Sequence, residues 1–156
     1  MTTIHTPTYP SLGENPARLK LESYPVQFEL PLRWSDVVDG YRVGPLGMAR
    51  YYEDARMDFV AAIIGKERLH DKSWKGFLRQ CTIEMLADAT FPGALTVGGC
   101  MLHIGNTSYK CGFGLFQHGI CVSLSDSVVV WVDDDHRPHA LSEEEKAPLR
   151  KEMLRP

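Results

Sequence analysis

The residue types able to do chemistry gather between Arg33 and Arg56, where Asp36, Asp39 and Glu53 lie close in sequence to Arg42 and to the Gly44-Pro45 step. A carboxylate near a carbonyl can activate water or attack directly, and the oxyanion that develops then needs hydrogen-bond donors. A helix start supplies such donors, because its first backbone N–H groups have no intrahelical partner and the positive end of the dipole stands behind them. The glycine leaves room for a substrate group to approach, so Val43 and Gly44 are the candidate oxyanion positions. Each carboxylate also has a plain structural role open to it. Asp39 suits a turn, Asp36 suits a loop held by hydrogen bonds, and Glu53 has Arg56 three residues further on as an ion-pair partner. Glu53 nevertheless sits among Ala49, Met57, Val60 and Ile64 on the helix, where partial desolvation raises a carboxyl pKa and favours a base. Arg42 can meet a phosphate, steady an oxyanion or simply face solvent. The five histidines from His70 onward have no serine or cysteine partner in a nucleophile motif, and none is assigned a role.

The elements that must position these groups are legible around them. Residues 26 to 34 alternate, with Val26, Phe28, Leu30, Leu32 and Trp34 on one side, which predicts a half-buried strand. Pro31 removes a ladder donor and calls for an edge position or a bulge. Residues 36 to 47 are a glycine-rich loop, and Pro45 suits a first helical residue. The helix is expected from about Leu46 to Ile64, ending at Gly65. Met48, Tyr52, Ala55, Phe59 and Ala62 form one apolar stripe; Ala49, Met57, Val60 and Ile64 form a second across the axis. Only Arg50, Asp54 and Asp58 make a solvated line. A helix apolar on two sides must be covered on two sides, by its own sheet and by something else such as a second subunit.

Residues 66 to 76 read as a polar turn with Trp74 its one large apolar residue. Four strands follow, Phe77 to Ala87, Leu95 to Ile104, Ser108 to Gln117 and Ile120 to Val132. Their short turns predict an antiparallel meander. In the last strand Ile120, Val122, Leu124, Val128, Val130 and Val132 alternate with Cys121, Ser123, Ser125 and Ser127, and Asp126 interrupts the apolar side as a bulge or a hydrogen-bonded buried carboxylate. Asp133-Asp134-Asp135 reads as a turn, and Ser142 to Glu145 as a capping box opening a short helix to about Met153. Residues 1–23, rich in proline and polar residues, are read as an irregular lead-in. The order is that of an α+β layer.

The totals bound the class. A chain of 156 residues, 44% apolar and 24% charged, is expected to be one soluble domain, and a net charge of −3 spread along it argues against nucleic-acid binding. No apolar run approaches the roughly 18 residues of a membrane span, and no secretory signal is read at the start, so a cytoplasmic location is expected. Cys81, Cys100, Cys111 and Cys121 have no C-x-x-C spacing and read as reduced small hydrophobes, with no metal site.

These residues, in this order, resemble the hotdog-fold acyl-CoA thioesterases of the 4-hydroxybenzoyl-CoA thioesterase type, over roughly residues 26 to 150. Arg33, Trp34, Ser35, Asp36, Val43, Tyr51, Tyr52, Glu53, Ala55 and Arg56 agree with the family's opening motif without a gap. Ile104-Gly105-Asn106-Thr107-Ser108 matches its Ile-Gly-x-x-Ser junction, and Val130-Trp131-Val132-Asp133 with Arg137-Pro138 its closing strand. The departures fall in the catalytic loop. The family's second Asp, its base or nucleophile, falls on Val38; its Gly-His-Val-Asn-Asn becomes Tyr41-Arg42-Val43-Gly44-Pro45, and the following Tyr becomes Met48.

The resemblance implies a hotdog domain over residues 24–156, with an antiparallel sheet of about five strands wrapped around one long central helix. It implies hydrolysis of an acyl-CoA or acyl-carrier thioester, CoA entering as part of the substrate and no other cofactor. It also implies a homodimer or homotetramer with the substrate in a groove between subunits. Asp39 or Glu53 then activates water, Asp36 matches the family's first Asp, and Arg42, Met48, Thr107, Ser108 and Lys110 are the substrate-binding candidates. Two other readings follow from the loss at Val38 and from the fold: an acyl-thioester-binding protein without efficient hydrolysis, and an enoyl-thioester hydratase, for which no Asp or Glu with His is found near the helix start.

Overall fold

The computed structural model describes residues 10–156. Its elements are β1 (Val26–Pro31), β2 (Val37–Val38), β3 (Arg42–Val43), α1 (Pro45–Ile64), α2 (Lys66–His70), β4 (Gly76–Met85), β5 (Ala94–Ile104), β6 (Ser108–Gln117), β7 (Ile120–Trp131) and α3 (Glu143–Arg150). Five strands form one antiparallel sheet in the order β1-β5-β6-β7-β4, and β2 and β3 make a separate ribbon. This is the α+β architecture expected from the sequence, one sheet on one long helix.

The helix begins at Pro45 and stops at Gly65, whose φ of 87° resists a side chain. Met48, Tyr52, Ala55 and Phe59 are 0% exposed and face the sheet. Burying a large apolar side chain contributes about 2 kcal/mol, so this stripe is what holds the helix down. Phe59 meets Phe113 edge-on with ring centroids 5.4 Å apart. That approach requires Gly99, where a Cβ would stand 2.7 Å from Phe59 Cδ2. The second apolar stripe is mixed: Met57 is 53% exposed, Ala49 and Ile64 are half-buried, and Val60 is buried at 6%.

Hydrogen bonds fix the direction of the helix. Tyr52 Oη donates to Ser123 Oγ at 2.8 Å and Arg56 Nη1 to Ser127 Oγ at 3.2 Å, while Ser123 pairs with Met85 and Ser127 with Cys81 across the sheet. The helix therefore runs against β4, its start beside Met85 and its end beside Gly76.

Two sequence expectations are corrected. The turn at Phe91-Pro92-Gly93 suggested that β4 pairs with β5, yet β4 pairs with β7 at the far edge, and only β5, β6 and β7 form a meander. The link 86–93 crosses the sheet; eight extended residues reach about 26 Å, ample for three strand spacings of about 4.8 Å. Second, the serine side of β7 points inward. Ser123, Ser125 and Ser127 are 0% exposed beneath the helix, where Tyr52 and Arg56 supply partners that strand alternation alone does not show.

Other expectations hold. Pro31 lies on an edge strand, β1 pairing only with β5. Both bonds of the capping box at Ser142 are made, opening a helix that ends at Arg150. Asp126 is a buried, hydrogen-bonded carboxylate, 7% exposed, held by Arg18 Nη1 at 2.8 Å and Lys110 Nζ at 2.6 Å.

Arg18 comes from the lead-in. Residues 1–9 of that segment lie outside the described residues; from Leu12 to Ser23 it forms three short 3-10 turns across the outer face of the sheet. Ser11 Oγ and the Leu12 amide bond Glu84 at 2.7 and 2.6 Å, and Tyr24 Oη donates to the Arg18 carbonyl at 2.8 Å. Tyr24 is 0% exposed, in a space left by Gly98 and Gly114. Residues 66 to 76, read as a turn, contain the five-residue helix α2.

Candidate active site

The start of α1 is a built depression of about 150 Å³ floored by Asp36, Gly44 and Gly47 and walled by Val38 and Arg50. Gly44 caps the helix without any side-chain hydrogen bond. The amides of Val43 and Gly44, the sequence candidates for an oxyanion, are already donated, to the carbonyls of Ala89 at 2.9 Å and Asp36 at 3.1 Å. Met48 N–H closes the first helical turn on the Gly44 carbonyl. Pro45 has no N–H. Among the described residues the amides of Leu46 and Gly47 have no acceptor, and both residues line the depression. The sequence candidates Val43 and Gly44 thus have their amides engaged, by the carbonyl of Ala89 in the link before β5 and by that of Asp36, neither of which is visible in the sequence.

Asp36 is the hub beneath this turn. Its side chain is 0% exposed and takes Arg33 Nε on Oδ2 at 2.7 Å and Arg50 Nη1 on Oδ1 at 2.9 Å. Burial works to raise its pKa, but hydrogen bonds from Arg33, Arg50 and Tyr51 outweigh that and hold the carboxyl below its usual value. Tyr51 Oη also accepts the Arg33 amide at 2.7 Å, with the Arg33 guanidinium 4.8 Å above its ring. A carboxylate with both oxygens bound by guanidinium groups organises the loop and is a poor proton acceptor. Gly47 is required here, since a Cβ on it would stand 2.7 Å from Asp36 Cβ.

Asp39 sits at the tip of the β2–β3 ribbon at φ 54°, a conformation Asp tolerates, with its side chain 58% exposed and ion-paired to Arg42. Arg42 reaches Asp88 Oδ1 at 3.8 Å as well, and its buried Nε has no partner among the described residues. Val38 packs directly on the helix start: its Cγ1 lies 2.8 Å from where a Cβ on Gly44 would be. Glu53, 65% exposed, is paired with Arg56, whose side chain is 8% exposed. All three candidate carboxylates are thus tied to arginines.

The remaining candidates are not brought to this place. Met48 is 0% exposed inside the core. Thr107 and Ser108 lie at the opposite end of the sheet, in the β5–β6 turn, with their carbonyls accepting from Trp131 and Gly105 at 2.8 Å each. Lys110 is on the outer face, bound to Asp126. Sequence reading missed Arg50, which it took as merely solvated, and a second cavity near the end of α1. That cleft, about 270 Å³, lies between the second face of α1 and β4, lined by Glu53, Met57 and Val60 on the helix and by Trp74, Gly76 and Tyr109 across from it. Among the described residues no group of three or more His, Cys, Asp or Glu is placed to hold a metal ion, and no helix is long and apolar enough to cross a membrane.

The sequence matches no protein-family model and no curated protein. Solved structures match well. A protein of Pseudomonas aeruginosa superposes with a TM-score of 0.76 at 20% identity, over 85% of this chain and 94% of its own. A "predicted thioesterase" of Bacillus stearothermophilus gives 0.74 at 19%, over 83% and 97%. A Thermus thermophilus thioesterase, solved with coenzyme A and zinc, gives 0.72 at 20%, over 83% and 95%. Likeness at such identities speaks for the backbone, and the backbone it establishes is the hotdog fold that the sequence motifs led one to expect.

Proposed function

We propose that this protein is an acyl-CoA thioesterase acting at the start of α1. The observation that carries the reading is the pair of unpartnered amides, Leu46 and Gly47, at the positive end of a 20-residue helix. Preorganised N–H donors of this kind stabilise the oxyanion of acyl transfer. A thioesterase of this fold has been solved with coenzyme A, which supports the substrate class. Asp39, on the exposed ribbon beside the depression, or Glu53 on the helix activates the water, and Asp36 holds the loop. Either base must first leave its arginine, so hydrolysis is expected to be slow.

The working unit is a homodimer. β4 is an unpaired sheet edge carrying exposed Phe77, Cys81 and Met85, beside the exposed Leu46 and Met57 of α1. Unpaired edges invite pairing, and a twofold axis makes such pairing antiparallel. Because α1 starts beside Met85 and ends beside Gly76, that arrangement sets the helix start of one copy against the Trp74 cleft of the other.

A second reading, binding of an acyl thioester without turnover, is favoured by Val38 and by the arginine pairing of every candidate base. Free-thiol release from a panel of acyl-CoAs separates the two. Turnover that falls in Asp39→Asn or Glu53→Gln supports hydrolysis and assigns the base; saturable binding with no thiol release supports the second reading.

A further inference from the structure

The outer face of the sheet has a small core of its own, separate from the one beneath α1. Tyr24, Cys100 and Phe116 are buried there, with Leu21, Leu102 and Leu154 packed against them, whereas the core beneath the helix holds 20 buried residues. A cluster of three holds its cover far less firmly than one of that size, because apolar burial stabilises in proportion to area. That cover is largely the lead-in. Tyr24 lies on Gly98, where a Cβ would stand 2.5 Å from its ring carbon Cγ, and Arg18 lies on Gly112, where a Cβ would stand 3.0 Å from its Cζ. The sheet is thus shaped to receive these two side chains.

The polar part of the hold converges on Arg18, which is 4% exposed. Its Nη1 donates to Asp126 Oδ1 at 2.8 Å, its Nη2 to the Ser125 carbonyl at 3.2 Å and its Nε to Tyr24 Oη at 3.2 Å, while the Tyr24 hydroxyl donates back to the Arg18 carbonyl at 2.8 Å. Asp126 also keeps Lys110 Nζ at 2.6 Å, so it retains a cation if Arg18 leaves. Among the described residues the backbone N–H groups that bond do so locally, as Arg18 does to the Asn15 carbonyl and Tyr24 to that of Leu21, and Leu12 alone reaches the sheet, at Glu84. A segment with few buried apolar contacts and only local backbone bonds can open while the rest of a fold stays closed.

We propose that residues 12–24 form a latch that leaves the outer face as one unit while the domain stays folded, with Arg18 as its pin, and that its opening uncovers Cys100. The latch stands independently of the thioesterase reading. Two cysteines report on it. Cys100 belongs to the outer cluster with Tyr24, Cys111 belongs to the core beneath α1, and both are 0% exposed. Burial pushes each of these thiols up to about 12, so neither reacts while covered and thiol labelling counts openings.

The test labels the full chain with iodoacetamide and follows each cysteine by peptide mass spectrometry, every rate divided by that of the same cysteine in the denatured chain. Cys100 is expected to react about tenfold faster than Cys111 or more, with a weaker dependence on urea, because a local opening exposes less surface. Arg18→Met, which keeps much of the stem and removes the guanidinium, should speed Cys100 by about 100-fold, the effect of removing one partner of a buried ion pair. Phe59→Leu, in the core beneath α1, should speed Cys111 by about tenfold and leave Cys100 unchanged. Equal normalised rates with equal urea dependence in the original protein overturn the latch, as does a Phe59→Leu variant that speeds both cysteines alike. A Cys100 rate unmoved by Arg18→Met overturns the pin. Should the methionine variant fail to fold, Arg18→Lys gives the same reading with a smaller gain.

Discussion

The two ends of α1 face the same edge of the sheet and are built from opposite materials. At its start the side chains are charged and mutually satisfied, Asp36 between Arg33 and Arg50, Asp39 with Arg42, and what is left free is backbone. Toward its end the walls are mostly aromatic and aliphatic, Trp74, Tyr109, Val60 and Leu78 among them, around an open cleft. The first end offers donors fixed by the fold without a free base. The second offers an apolar cleft. The two ends therefore differ in what they leave open, fixed backbone donors at one and an apolar surface at the other.

The contrast is broken most strongly by giving the first end the base it lacks. Val38 lies over the helix start, so Val38→Asp sets a carboxylate beside the Leu46 and Gly47 amides, where the dipole favours its ionised form. Thiol release should rise by about 100-fold, the lower range for an added general base. A rate no higher than that of the original protein would show that the depression does not hold the thioester.

Next in size is the Asp36 hub. Asp36→Asn removes charge-assisted bonds to two guanidinium groups and should cost about 2 kcal/mol in denaturant unfolding. The sign with pH follows from the shift. The folded carboxyl has a lowered pKa, so its contribution is complete above the unfolded value of about 3.9 and is lost as pH falls through the lower folded value. The original protein should therefore lose stability in acid more steeply than Asp36→Asn, and parallel pH profiles would contradict the hub.

The smallest expected effect is at the mouth of the second end. Glu53 is 65% exposed, and its pair with Arg56 should be worth no more than about 0.5 kcal/mol. Glu53→Gln should leave the unfolding midpoint nearly unchanged, which makes any fall in turnover a statement about catalysis. A large loss of stability would mean that Arg56 needs this partner to stay buried over Ser127.

Much of this contrast was legible before the structure, and the rest failed for identifiable reasons. Helix α1, the edge position implied by Pro31, the capping box at Ser142 and a buried, bonded Asp126 could be read because each depends on local geometry or on a single polar group breaking an apolar pattern. The placement of β4 next to β7 could not, since a short turn between strands carries no record of which edge the next strand joins. The inward serines of β7 were hidden for a related reason. Alternation separates two faces but does not say which is buried, and the partners that make Ser123 and Ser127 tolerable sit 71 residues away on α1. At the helix start, the sequence located the carboxylates and offered Arg56 as the partner of Glu53, but not that Arg33 and Arg50 occupy Asp36, that Arg42 occupies Asp39, or that the carbonyls of Ala89 and Asp36 take the amides of Val43 and Gly44. Tyr109 left no signal beyond an aromatic residue in a strand.

Hydrolysis supported by the free amides at the start of α1 is tested most directly by deleting one of them. Leu46→Pro removes an N–H that makes no intrahelical bond, in the first turn where proline is tolerated. Measured as thiol release from hexanoyl-CoA at matched folded content, the original protein should turn over and the variant should be slower by about 100-fold, the loss expected for one oxyanion donor. Equal rates in the two proteins, or no release by the original, would contradict it.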